Sequence, residues 1–153
     1  MPVESQPDDR ERIEPDAYVI QAGYALGGDG GCIAQARHHA ADFLTRARVE
    51  KGLTISSRAM DLTRLVVSEL ITNALKYAPG PILMELRITD AMVEVVIWDS
   101  DPTVPTAKTA DPGRIGQHGL EIVKAVAHDL VIERQSVGKQ ITAGIALTDT
   151  VRS

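Results

Sequence analysis

Glu69 and Asn73 stand one helical turn apart in the stretch LTRLVVSELITNALKYA, from Leu62 to Ala78. A carboxylate can accept or orient the proton of an attacking hydroxyl. A carboxamide one turn later can offer its carbonyl oxygen to magnesium, which favours hard oxygen ligands and takes the rest of its shell from water and substrate phosphates. Lys76 adds a point charge suited to phosphate. Two more features could serve the same chemistry. Asp99 continues the alternation of Val93, Val95 and Ile97, so its carboxylate points with the apolar side chains at a strand's end. Gly116-Gln117-His118-Gly119-Leu120 precedes an apolar helical pattern, and a helix start offers unpaired N–H groups to an anion. Each signal has a plainer reading: a solvated helix face, a turn-forming Asp, an ordinary glycine loop. Only their combination points to a site.

The elements that must position these residues follow from periodicity. Alternation of Tyr18, Ile20, Ala22, Tyr24 and Leu26 with more polar or smaller residues predicts a first strand. Ile33, Ala36, Ala40, Phe43, Leu44 and Ala47 recur at helical spacing, and Gly52 ends that helix. Ser56 or Ser57 caps a second helix that runs to the proline-rich stop after Ala78 and carries Glu69 and Asn73. Ile82 to Ile88 and Val93 to Trp98 read as a hairpin, and Leu130 to Ile132 with Ile141 to Leu147 as another, turning near Gly138. Between the hairpins, Ser100 to Gln117 is a long loop without periodicity, followed by a short helix through Leu120, Val123 and Val126. The expected class is α+β, a two-layer α/β sandwich with a mixed, mostly antiparallel sheet and helices on one face.

Composition bounds the function. A chain of 153 residues with 44% hydrophobic and 24% charged residues is about one globular domain. With 3% aromatic residues it lacks base-stacking platforms, and its net charge of -5 disfavours a nucleic-acid surface, so no direct nucleic-acid partner is expected. Residues 1–16 hold six acids against Arg10 and Arg12 and read as a disordered acidic tail ahead of a folded domain at 17–149. The lone Cys32 excludes an internal disulfide and has no evident activating partner. His38 and His39 are adjacent, diverge on a helix and make a poor metal pair. No apolar run approaches the ~20 residues of a membrane span, and the acidic start does not resemble a signal peptide, so a cytoplasmic location without membrane contact is expected.

Ser68-Glu69-Leu70-Ile71-Thr72-Asn73-Ala74-Leu75-Lys76-Tyr77-Ala78 resembles the N box of the ATP-binding superfamily that includes type II topoisomerases, heat-shock chaperones, histidine kinases and mismatch-repair ATPases. Asp99 and Gly116 to Leu120 resemble its two glycine boxes, in the right order. Within that superfamily, the S-E-L-x-T-N-A form and the small size look most like anti-sigma factor serine/threonine kinases. The resemblance implies ATP and magnesium as cofactors, Glu69 as catalytic base, Asn73 as magnesium ligand, and Lys76 and Gly116 to Leu120 at the phosphates. It also implies that Asp99 accepts from the adenine amino group and that Asp101 to Gln117, with Arg114, forms a lid. Partners would be an anti-sigma factor antagonist phosphorylated on a hydroxyl, a sigma factor held inactive, and a second copy in a homodimer. Two departures stand out. The usual D-x-G-x-G reads Asp99-Ser100-Asp101-Pro102-Thr103, without the glycines that permit close approach. The usual threonine of the last motif is missing where Gly138-Lys139 is followed by Gln140.

These departures keep a second class of function in view, a non-catalytic protein whose nucleotide sets partner affinity. A stand-alone histidine-kinase-like ATPase domain is a third. It is disfavoured because no dimerisation hairpin with a phospho-acceptor His precedes the domain, and His38 and His39 lie inside it.

Overall fold

A computed structural model describes residues 18–27, 31–77, 80–89, 91–99, 117–134 and 138–148. The acidic tail and the whole loop between Asp99 and Gln117, with Arg114 and Gly116, lie outside the described residues. Within them the order is β1 (Ile20–Leu26), α1 (Cys32–Lys51), α2 (Ser57–Tyr77), β2 (Ile82–Ile88), β3 (Met92–Asp99), α3 (Gln117–Val126), β4 (Asp129–Arg134) and β5 (Lys139–Ala146).

The strands form one sheet in the order β1-β2-β3-β5-β4, and every neighbouring pair is antiparallel. The sequence leaves room for a mixed sheet; chain reversal explains why none of the neighbours is parallel. Two helices separate β1 from β2, so the chain returns in the opposite sense. β4 runs parallel to β3, but β5 lies between them.

Sequence pattern accounts for the layers. Ile82, Met84, Leu86 and Ile88 of β2, Val93, Val95 and Ile97 of β3, and Ile141, Ala143 and Ile145 of β5 all face one side and are buried. Against them pack Ala36, Ala40, Phe43, Leu44 and Ala47 of α1, Val66, Val67, Leu70, Ile71 and Ala74 of α2, and Val123 of α3. Burying each large aliphatic side chain contributes about 1.5–3 kcal/mol before chain entropy is subtracted, and this shared interior holds the helices to the sheet.

Helix ends are set locally. Gly52 adopts a left-handed φ of 66° and its N–H donates to the Ala47 carbonyl, closing α1. At the start of α2 the Ala59 N–H donates to Ser56 Oγ at 2.9 Å, which identifies Ser56 as the cap. The Ser56 N–H also donates to the Leu147 carbonyl at 2.9 Å, fastening α2 to the end of β5.

Tyr18 differs from the alternation expected of it. A bend at Val19 separates it from β1, so strand alternation does not extend to it, and it reaches the open face of the sheet. There its hydroxyl lies 3.4 Å from Glu94 Oε1 and its ring 4.9 Å beneath the Arg87 guanidinium. Arg87 and Glu94 are themselves a cross-strand pair joined at 2.8 Å.

Candidate active site

The candidate residues gather at one end of the domain for topological reasons. Asp99 closes β3, and in register it faces Lys139, which opens β5. On the other flank of β3, Trp98 pairs with Leu83 near the start of β2. Only Ala78 to Pro81 separates that start from the end of α2, the end that carries Asn73 and Lys76. The chain after Asp99 next enters the described structure as α3.

α2 presents its polar residues at graded depth. Asn73 is 1% exposed, Glu69 is half-buried and Lys76 is exposed. The Asn73 amide nitrogen, Nδ2, is buried without a hydrogen-bond partner. A buried unpaired amide costs about 1–3 kcal/mol, and native interiors rarely tolerate one without a use. Oxygen and nitrogen of an amide exchange places by a flip, so either end can be turned to an occupant. An orphaned amide one turn from a carboxylate fits the donor set that a magnesium–nucleotide complex takes from protein. Among the described residues no cluster of three or more His, Cys, Asp or Glu could hold a metal by itself. A cation here would therefore draw most of its ligands from phosphate and water.

Glu69 meets α3 at Gly119. A β-carbon placed on Gly119 would lie 2.7 Å from Glu69 Oε1, inside any permissible contact. The glycine thus lets the first turn of α3 close onto the carboxylate. Gln117 and His118 open that turn, and the half-buried Leu120 follows. The stretches that resemble the N box and the second glycine box thus meet at Glu69 and Gly119.

Asp99 is buried as its alternation predicts, but it has company that sequence reasoning missed. Lys139 Nζ lies 2.9 Å from Asp99 Oδ2, with side-chain exposures of 0% and 1%. A signal for Lys139 was present: it is in phase with Ile141, Ala143 and Ile145, a basic residue on the buried face of a strand. Nothing local names its partner, since that depends on how β3 and β5 align.

Other candidates have structural roles. Cys32, the first residue of α1, is buried in the core. His39 stacks on Tyr24, with ring centroids 4.4 Å apart and planes 17° from parallel. No described helix is long and apolar enough to cross a membrane.

Comparisons with known proteins bear on the fold and the family. The structure of the RsbU and RsbW domains of Rv1364c from Mycobacterium tuberculosis superposes with a TM-score of 0.63 at 15% identity, covering 88% of this chain. The present chain spans 34% of that one, and the likeness is one of fold. A histidine kinase domain from the Erythrobacter litoralis EL346 blue-light activated histidine kinase matches with a TM-score of 0.41 and 22% identity, over 58% of this chain and 45% of that one. No curated protein matches significantly by sequence. Residues 31–145 match the family model of the histidine kinase-like ATPase domain, a span that runs from the start of α1 into β5 and includes Glu69, Asn73, Gly119 and Asp99. With three quarters of its length accounted for in this way, the chain belongs to the histidine kinase-like ATPase domain family.

Proposed function

We propose that this domain is an anti-sigma factor serine/threonine kinase, which binds ATP with magnesium and phosphorylates an anti-sigma factor antagonist. The observation that carries the nucleotide site is the juxtaposition of Glu69 with Gly119 and, one turn along, the orphaned buried amide of Asn73. The choice of partners, a sigma factor and an anti-sigma factor antagonist, rests on the resemblance of Ser68 to Ala78 to anti-sigma factor kinases, with a fold shared with a structure that includes an RsbW domain, and the proposed assembly is a cytoplasmic homodimer.

In this reading Asn73 turns its carbonyl oxygen to magnesium, and Lys76 and the N–H groups opening α3 bind phosphate. Magnesium, when bound, supplies charge neutralisation at the β- and γ-phosphates. Glu69 takes the proton of the substrate's serine or threonine hydroxyl as its oxygen bonds to the γ-phosphorus. The bond from that phosphorus to the bridging oxygen breaks, and ADP leaves with the electron pair. The Glu69 carboxylate stands against the first turn of α3 at Gly119, the helix end that binds phosphate in this reading.

A second reading is favoured by Asp99, whose carboxylate is occupied by Lys139, and by the absent glycines after it. There the domain is a non-catalytic module whose nucleotide sets affinity for a partner. Glu69→Gln separates the two. Loss of about 100-fold or more in phosphate transfer with nucleotide binding retained is expected of a kinase. Transfer unchanged by the substitution sinks the catalytic role of Glu69. Absence of magnesium-dependent nucleotide binding at millimolar concentration sinks both readings.

A further inference from the structure

We infer that the open face of the sheet is a docking surface for a basic amphipathic helix of a partner protein. The inference does not rest on the nucleotide-site reading, because it concerns the side of the sheet that the helices leave uncovered.

Strand register lays that face out in rows. Leu83, Trp98, Gln140 and Glu133 form one row from β2 to β4, and Glu85, Val96, Thr142 and Val131 form the next. Leu83 and Val131 are 46% and 47% exposed, two of the four large apolar side chains left exposed among the described residues. Between them stand Trp98, half-buried, and Val96, buried. An apolar band therefore crosses from β2 to β4, three strand spacings or about 14 Å. Single exposed apolar residues need no explanation, but a band that holds the chain's only tryptophan has the composition of a protein contact.

Charge selects the occupant. The same face carries the carboxylates of Glu85, Glu94, Asp129 and Glu133 against the guanidinium of Arg87, a net of -3. Arg87 spends its charge on Glu94 at 2.8 Å and Glu85 at 3.8 Å. Asp129 and Glu133, either side of Val131 on β4, have no cationic partner among the described residues. The chain's own residues 1–16, six acids against two arginines, would be repelled here. A second copy stacked face to face would set Asp129 and Glu133 against an equally acidic surface. A partner with lysines or arginines beside its apolar residues is the complementary one.

The site's being a face rather than an edge selects a helix. An extended peptide binds through main-chain hydrogen bonds, which a sheet offers only at its edges. A helix binds through side chains, and apolar residues at i, i+3, i+4 and i+7 cover about 10 Å of its axis, which the side chains widen to the span of the band.

The test is titration of the full chain with a synthetic tryptophan-free helix of about 18 residues, leucine at that spacing and lysine elsewhere. Trp98 fluorescence and calorimetry follow binding. The lysine helix should bind saturably with a dissociation constant below about 100 μM and move Trp98 emission to shorter wavelength. A glutamate helix with the same leucines should bind about tenfold more weakly or worse. Leu83→Lys and Val131→Lys, both at exposed positions, should each weaken the lysine helix by about tenfold or more. Asp129→Asn/Glu133→Gln should weaken it and flatten its dependence on salt. No binding, or equal affinity for the lysine and glutamate helices, overturns the inference. Binding that leaves Trp98 emission unmoved and is unchanged in both lysine variants assigns the peptide to the acidic tail and overturns it too. So does a dimer of the free chain that Val131→Lys dissociates in sedimentation, since a second copy then holds the face.

Discussion

The Glu69 carboxylate occupies the space that a β-carbon on Gly119 would need, with Oε1 2.7 Å from that position. The clash is with the tip of a flexible side chain rather than with backbone, since Glu69 Cβ and Cδ stay at 3.7 Å. Gly119→Ala should therefore fold with little change in melting temperature and displace the carboxylate. Misplacing a catalytic group by about 1 Å can lower turnover about 100-fold, so steady-state kinetics on a hydroxyl-bearing protein substrate should show a fall in kcat of that order with nucleotide affinity nearly retained.

Asn73 sets stability against binding. Its Nδ2 is buried without a partner, a state that costs about 1–3 kcal/mol. Asn73→Leu replaces the amide with an apolar group of similar size and should raise the free energy of unfolding by about 1 kcal/mol. The same variant should lose magnesium-dependent nucleotide binding. Chemical denaturation and calorimetry on one preparation measure both; a destabilised variant would mean that the amide has a structural purpose.

Asp99 and Lys139 should be strongly coupled. Removing one member of a buried ion pair strands the other charge and typically costs about 3–5 kcal/mol. Asp99→Ala and Lys139→Ala should each fall in this range, given side-chain exposures of 1% and 0%. The double variant Asp99→Ala/Lys139→Ala should lose less than the sum of the singles, because no charge is left buried. Additive losses in a double-mutant cycle would show that the two charges do not interact.

Tyr18 should report on alkaline stability. Burial, then the negative charge of Glu94, raises its phenol above the ordinary 10.0, with Arg87 opposing. The folded state thus favours the neutral phenol. Its contribution is fully present below pH 10.0, the ordinary value, and is lost as pH rises through the folded pKa. In a Tyr24→Phe/Tyr77→Phe background, ultraviolet titration should find Tyr18 ionising late. Glu94→Gln, which removes a negative charge and a carboxylate acceptor 3.4 Å away, should bring it earlier.

Much of the molecule is legible along the chain because its forces are local. Helical spacing in Leu62 to Ala78 is enough to place Glu69 and Asn73 on one face, and alternation through Val93, Val95 and Ile97 is enough to turn Asp99 inward. The helices, strands and their buried faces follow in the same way. Tyr18 marks the limit, since a bend before the strand cancels the alternation that assigned its side.

Contacts between distant segments lie beyond that limit. That the sheet is wholly antiparallel follows from β5 separating β3 from β4, a matter of strand order. That Gly119 must be small follows from α3 packing onto Glu69. That Asp99 is partnered by Lys139 follows from the register of β3 on β5, which no local pattern contains. Within the helices and strands the sequence is enough to say which way side chains face, because dihedral periodicity acts over a few residues. That the carboxylate expected to read a base already holds an ammonium emerges when β3 and β5 align, because a buried charge takes its partner from wherever the sheet brings one.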